Sequence, residues 1–216
     1  MSAIQQILTQ KVVAIIRLEE YSRAIETAQA LVAGGISVLE FTMTGKGAIE
    51  AVSQVRRILN DSACVGIGSV LKAEEANAAI DAGAQFVVTP TVSPQVIAAC
   101  VNRATPILAG GFTPTELLKA YEAGSELVKL FPAQQGGPRY VKEILAPLPF
   151  LKLVPTGGVS ADNLRDYFTA GAVAIGIGGN LISKPAVASG EFEKITDAAR
   201  TIRQAVNTQV GTSSAP

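Results

Sequence analysis

The chain contains no histidine among its 216 residues. That absence removes His-based nucleophile triads, His zinc sites and the commonest general base of enzyme chemistry. Any catalysis must rest on lysine, acidic side chains and backbone donors, with no metal and no cofactor called for. Cysteine is nearly as scarce: Cys64 and Cys100 are the two present, both in apolar surroundings and without a C-x-x-C spacing. They read as small buried hydrophobes rather than a metal or redox pair. No segment approaches the roughly 20 consecutive apolar residues of a membrane span. The N-terminus, MSAIQQILTQK, lacks the basic region and apolar stretch of a secretory signal. Nor does one sign of charge dominate. Lys plus Arg and Asp plus Glu each number 18, so nothing attracts nucleic acid or an acidic membrane at long range. A soluble, cytoplasmic protein is expected, whose partners are a small molecule and copies of itself.

What is present is apolar material, 48% of residues, enough for one sizeable core and one domain. Short apolar runs recur at 12–17, 37–42, 64–69, 85–89, 106–109, 127–131, 151–156 and 173–177, giving eight candidate strands. Between them apolar residues follow a helical period, as in Ala24, Ile25, Ala28, Leu31, Val32 and in Ala51, Val52, Val55, Ile58, Leu59. Helix stops are marked by Ala33-Gly34-Gly35, Ala82-Gly83, Ala123-Gly124 and Ala170-Gly171, and helix starts by Ser93-Pro94, Thr113-Pro114 and Ser160-Ala-Asp162. Strands apolar on both faces, alternating with helices about eight times, predict a single-domain (β/α)8 TIM barrel over 1–207, followed by a polar, flexible tail at 208–216. A doubly wound open sheet would carry a dinucleotide fingerprint after its first strand. Here Arg17-Leu-Glu-Glu-Tyr follows instead.

Barrel active sites lie at the carboxyl ends of the strands, and the residues there are mostly polar. The second strand ends in Glu40-Phe-Thr42-Met-Thr44, the third in Gly66-Ile-Gly68-Ser69 and the sixth in Lys129-Leu-Phe131. Lys129 stands out, since a charged ammonium in an apolar strand is costly to bury unless it is paired or neutral. Strand alternation puts Val38, Glu40 and Thr42 on one face, and Leu127, Lys129 and Phe131 on one face of the sixth strand. If both faces point inward, an acid and an amine meet near the axis. Glu40 could simply neutralise Lys129. Alternatively, it shuttles protons while the amine attacks a ketone to form a Schiff base. Lys152, also in an apolar run, falls at the amino end of its strand and reads as structural. The turns Thr156-Gly157-Gly158 and Gly176-Ile-Gly178-Gly179 occupy the place where many barrels bind an anionic group through backbone amides. Arg17, with Thr44 and Ser69, could clamp a carboxylate, or could be a solvated charge.

These residues resemble the bacterial 2-keto-3-deoxy-6-phosphogluconate (KDPG) aldolase family, which includes 4-hydroxy-2-oxoglutarate (KHG) aldolases. The resemblance runs from about Val12 to Leu181. It is carried by Ala33-Gly-Gly-Ile-Ser-Val-Leu-Glu-Phe-Thr42, Gly66-Ile-Gly-Ser-Val70, Gly111-Phe-Thr-Pro-Thr-Glu116, Val128-Lys-Leu-Phe-Pro-Ala133 and Val154-Pro-Thr-Gly-Gly-Val159. It implies a metal-independent class I aldolase, usually trimeric, that cleaves a phosphorylated or unphosphorylated 4-hydroxy-2-oxo acid to pyruvate and an aldehyde. Lys129 would form the Schiff base and Glu40 would move protons. Arg17, Thr44, Ser69, Phe131, Thr156, Gly157, Gly158, Gly178 and Gly179 would bind substrate. Two positions depart from the pattern. Many members carry arginine where Thr44 stands, which shifts the carboxylate onto Arg17. A serine expected after the last strand is Gly179, followed by Asn180, which leaves the need for phosphate open. Oxaloacetate decarboxylation through the same iminium, and a barrel that binds a sugar phosphate without turning it over, are the competing expectations.

Overall fold

The computed structural model describes residues 1–211. The chain opens with α1 (Ala3–Gln10) and continues as β1 (Val12–Ile16), α2 (Ala24–Ala33), β2 (Val38–Thr42), α3 (Ala48–Leu59), β3 (Cys64–Gly68) and α4 (Ala73–Asp81). Then come β4 (Val87–Val88), α5 (Pro94–Asn102), β5 (Ile107–Gly111), α6 (Pro114–Glu122), β6 (Leu127–Leu130) and α7 (Gly137–Leu145). The last elements are β7 (Lys152–Pro155), α8 (Leu164–Thr169), β8 (Ile175–Ile177), α9 (Lys184–Ser189) and α10 (Phe192–Gly211). All eight predicted strands are present, in the order β7-β6-β5-β4-β3-β2-β1-β8, with every pairing parallel. The Thr156–Gly176 bridge and a 3.1 Å bond from Val173 N to Leu153 O join the remaining edges, so the sheet closes on itself. This is the (β/α)8 barrel the alternation predicts. Residues 212–216 of the tail read from sequence lie outside the described residues. No helix among those described is long and apolar enough to cross a membrane.

Strand alternation sorts the side chains into an outer shell and an inner stack. Leu39, Phe41, Val65, Ile67, Val128 and Leu130 face outward and join the large cluster against the helices. Val13, Val38, Cys64, Val88, Leu108, Leu127, Val154 and Ala174 face inward. With Phe86 they fill the lower barrel, and Ala3 and Ile7 of α1 join them as a plug beneath it. Two residues further along seven of these eight strands stand Ile15, Glu40, Gly66, Gly110, Lys129, Thr156 and Gly176. The acid and the amine therefore share the layer directly above an apolar floor.

Local chemistry sets the element ends. The predicted stops adopt left-handed φ at Gly35 (88°), Gly83 (99°), Gly124 (114°) and Gly171 (106°), which side chains with a Cβ rarely tolerate. The α6 start is a capping box: Thr113 Oγ1 accepts from Glu116 N at 3.3 Å, and the Glu116 carboxylate accepts from Thr113 N at 2.8 Å. The start read at Ser160-Ala-Asp162 is displaced, because α8 begins at Leu164. The Asn163 side chain accepts from Ser160 N and donates to Gly158 O, each at 2.9 Å, holding that stretch in a turn.

Candidate active site

Lys129 and Glu40 are both buried, at 3% and 2% exposure. The lysine does not snorkel to water along its own stem. Burial holds the Lys129 amine below its ordinary value; Glu40 opposes that shift and Arg17 adds to it. Burial raises the Glu40 carboxyl, against the attraction of Lys129 and Arg17. Both groups are thus biased toward their neutral forms. Among the described residues no hydrogen bond or ion pair joins the two, and Glu40 Oε1 is buried without any partner. A buried carboxyl oxygen without a protein partner costs free energy until a polar group completes it.

Room for the Glu40 head comes from β3. A Cβ at Gly68 would fall 1.8 Å from Glu40 Oε1, so only glycine lets the carboxyl occupy this position. Phe131 caps the other side, with its ring centroid 5.0 Å from Lys129 Nζ. Beside Phe131 opens a cavity of about 350 Å³ that Lys129 and Glu40 do not themselves line; its wall is Arg17, Phe131, Thr156, Gly157, Gly158, Gly178 and Gly179, with Ile15, Gln134, Val159, Gly176 and Asn180. Seven of the nine residues read as substrate-binding therefore meet in one cavity. Thr44 and Ser69 do not line it. They lie at the ends of β2 and β3, Thr44 exposed with its hydroxyl 2.8 Å from Thr42 Oγ1. Ser69 adopts a left-handed φ of 59°, a conformation uncommon for a residue with a Cβ.

Arg17 is exposed at the end of β1 and acts electrostatically on both buried groups. Its backbone anchor is Tyr21, a residue the sequence reading passed over. The Tyr21 hydroxyl accepts from Thr42 N at 2.9 Å and lies 2.8 Å from the carbonyl oxygens of both Ile16 and Thr42, to which its own proton can be donated. Its ring packs edge-on against Phe41 at 5.4 Å. One phenol thus staples the β1 end that presents Arg17 to the β2 end that follows Glu40.

Gln134, Ile15 and Val159 also escaped the sequence reading as site residues. Of these, only Ile15, at an aligned strand end, could have been indicated by the sequence. Lys152 is half-buried and pairs with Glu126 at 2.7 Å, the structural role expected of it. Cys64 and Cys100 are free and buried, with thiols pushed up to about 12 and about 11 chiefly by that burial. They are inert hydrophobes. Among the described residues no group of three metal-capable side chains converges.

Fold and site together define a barrel with a buried amine, a buried carboxyl and a polar cavity toward the carboxyl ends of its strands, where barrel enzymes place their active sites. The profile of the family described as KDPG and KHG aldolase matches residues 4–198, and the chain belongs to that family of carbon-carbon lyases. It is 35% identical to the 2-dehydro-3-deoxy-phosphogluconate aldolase of Treponema pallidum, over 86% of this chain and 89% of that one. It is 33% identical to the KHG/KDPG aldolase of Escherichia coli K12, over 92% and 93% of the two chains. Among solved structures, the KDPG aldolase of Legionella pneumophila, with pyruvate captured as a covalent carbinolamine, superposes with a TM-score of 0.85. That pair shares 27% identity over 91% of this chain and 95% of that one.

Proposed function

We propose that this aldolase works through a Schiff base at Lys129. It would cleave 2-dehydro-3-deoxy-6-phosphogluconate to pyruvate and glyceraldehyde 3-phosphate, and 4-hydroxy-2-oxoglutarate to pyruvate and glyoxylate. The observation that carries the reading is the buried pair: an amine biased toward its neutral, nucleophilic form shares a layer with a carboxyl whose Oε1 has no partner. Nζ adds to the C2 carbonyl to give a carbinolamine, whose hydroxyl leaves as water with the proton of the neutral Glu40 carboxyl, giving an iminium beside a Glu40 carboxylate. The Glu40 carboxylate takes the proton of the C4 hydroxyl as the C3–C4 bond breaks, and that bond's electron pair flows into the iminium to leave an enamine. The aldehyde departs. Glu40 returns its proton to C3, and water then releases pyruvate and restores the free amine.

Arg17 holds the substrate carboxylate by charge-assisted hydrogen bonds, with Thr44 and Ser69 at the same mouth. Phe131 and Thr156 flank the reacting carbons, while Gly157, Gly158, Gly178 and Gly179 offer backbone to the remainder of the substrate. Assembly as a homotrimer in the cytoplasm belongs to the same reading and is supported by the family resemblance. Incubation with pyruvate and borohydride should add one reduced pyruvyl group at Lys129, read by peptide mass. A protein that takes up no mass there would remove the Schiff-base reading.

A further inference from the structure

We propose that Gln134 is the specificity-determining residue for the aldehyde half of the substrate, its carboxamide contacting the polar tail that cleavage releases. This rests on the aldolase reading above. Among the described residues Arg17 carries the only charge in the cavity wall, and that charge acts on both Lys129 and Glu40. The carboxylate and the reacting carbonyl therefore belong on the Arg17 side. The rest of the substrate must run along the wall built from the turns after β7 and β8. Three side chains with hydrogen-bonding heads stand there. Thr156 is buried at the strand end, with its hydroxyl 3.4 Å from Val154 O. Asn180 commits its Nδ2 to Val159 O at 3.0 Å.

Gln134 alone is uncommitted: among the described residues its carboxamide has no hydrogen-bond partner, and the side chain is exposed to the cavity. Its position is nevertheless fixed. Ala133 N donates to Thr156 O at 2.8 Å and Gln134 N to Gly157 O at 3.1 Å, docking the short 3-10 turn at Ala133–Gln135 onto the end of β7. A Cβ at Gly158 would lie 2.5 Å from Gln134 Cβ and 2.6 Å from its Oε1, so the side chain lies flat across that turn. A carboxamide offers both a donor and an acceptor. It can serve a hydroxyl or a phosphate, and the charge placed at this point decides how well each is accepted.

The test compares kcat/KM for phosphorylated and unphosphorylated 4-hydroxy-2-oxo acids of equal carbon number, in the wild type and in Gln134→Glu and Gln134→Lys. A unit charge a few ångströms from the tail should change the ratio of the two efficiencies by about tenfold or more. The ratio should fall in Gln134→Glu and rise in Gln134→Lys. Ratios that stay within about twofold of wild type in both variants overturn the assignment. In that case a pyruvate and borohydride adduct at Lys129 of the wild type leaves the aldolase reading standing. Absence of that adduct overturns both together.

Discussion

Adding one methyl group at Gly68 tests how Glu40 is placed. An alanine Cβ would sit 1.8 Å from Glu40 Oε1, 2.5 Å from its Cδ and 2.7 Å from its Cγ, where non-bonded heavy atoms rest at roughly 3.5–4.0 Å. Something must move by roughly 1.5 Å or more to relieve that overlap. Strand β3 is held on both sides, with Gly68 in register with Thr42 and Ile67 with Val87, so the carboxyl is the part that yields. Overpacking of this kind costs about 1–3 kcal/mol, or a melting temperature lower by about 2–12 °C in a chain of this size. With Glu40 in its proposed proton-transfer role, displacing it should lower kcat by about 10²–10⁴-fold. Cleavage of 2-dehydro-3-deoxy-6-phosphogluconate, followed as pyruvate release, measures the rate, and thermal melting measures the packing. The decisive comparison repeats Gly68→Ala in a Glu40→Ala background, where the space is vacant and the extra effect on both readouts should shrink toward zero. Equal losses with and without the Glu40 side chain, or a Gly68→Ala enzyme of wild-type activity, would refute the reasoning.

Two further predictions follow from the same layer and its support. Because burial holds the Lys129 amine below its ordinary value of 10.5, the unfolded chain binds more protons than the folded one between the two values. This group's contribution to stability rises with pH across that interval. The stability difference between Lys129→Met and the wild type should therefore shift in favour of the wild type as pH approaches 10.5; a difference that does not shift counts against a depressed amine. Tyr21→Phe keeps the ring but leaves Thr42 N without its 2.9 Å acceptor, at a cost of about 1–3 kcal/mol. KM for the 2-oxo acid should rise more than kcat falls, because Arg17 follows the Ile16 carbonyl that the phenol anchors; a lower melting temperature with unchanged KM would leave Tyr21 a purely structural role.

Strands covered on both faces read as continuous apolar runs, so every strand of the barrel could be located from sequence, even β4. There the paired segment shrinks from the expected 85–89 to Val87–Val88, and the Gln85 side chain instead accepts from Val65 N at 2.9 Å. Helix α1 was not legible: eight residues with two buried positions, Ala3 and Ile7, give too short a periodic signal. Glu40 and Lys129 were legible because each interrupts an apolar strand at an inward position. Tyr21 and Gln134 were not. Tyr21 looks like any loop residue until β1 and β2 are side by side, and Gln134 gains meaning only where its turn docks on β7.

The sequence by itself determined the order of strands and helices, the inward faces, and the two ionisable groups those faces carry. Each is a local property, set by alternation, helical period and the cost of burying charge. The tertiary structure alone decided that Glu40 rests against Gly68, that Tyr21 ties the strand end bearing Arg17 to its neighbour, and that Gln134 crosses the Gly158 turn. Those contacts arise from barrel closure and register, which bring together side chains from different strands at distances that no spacing along the chain specifies.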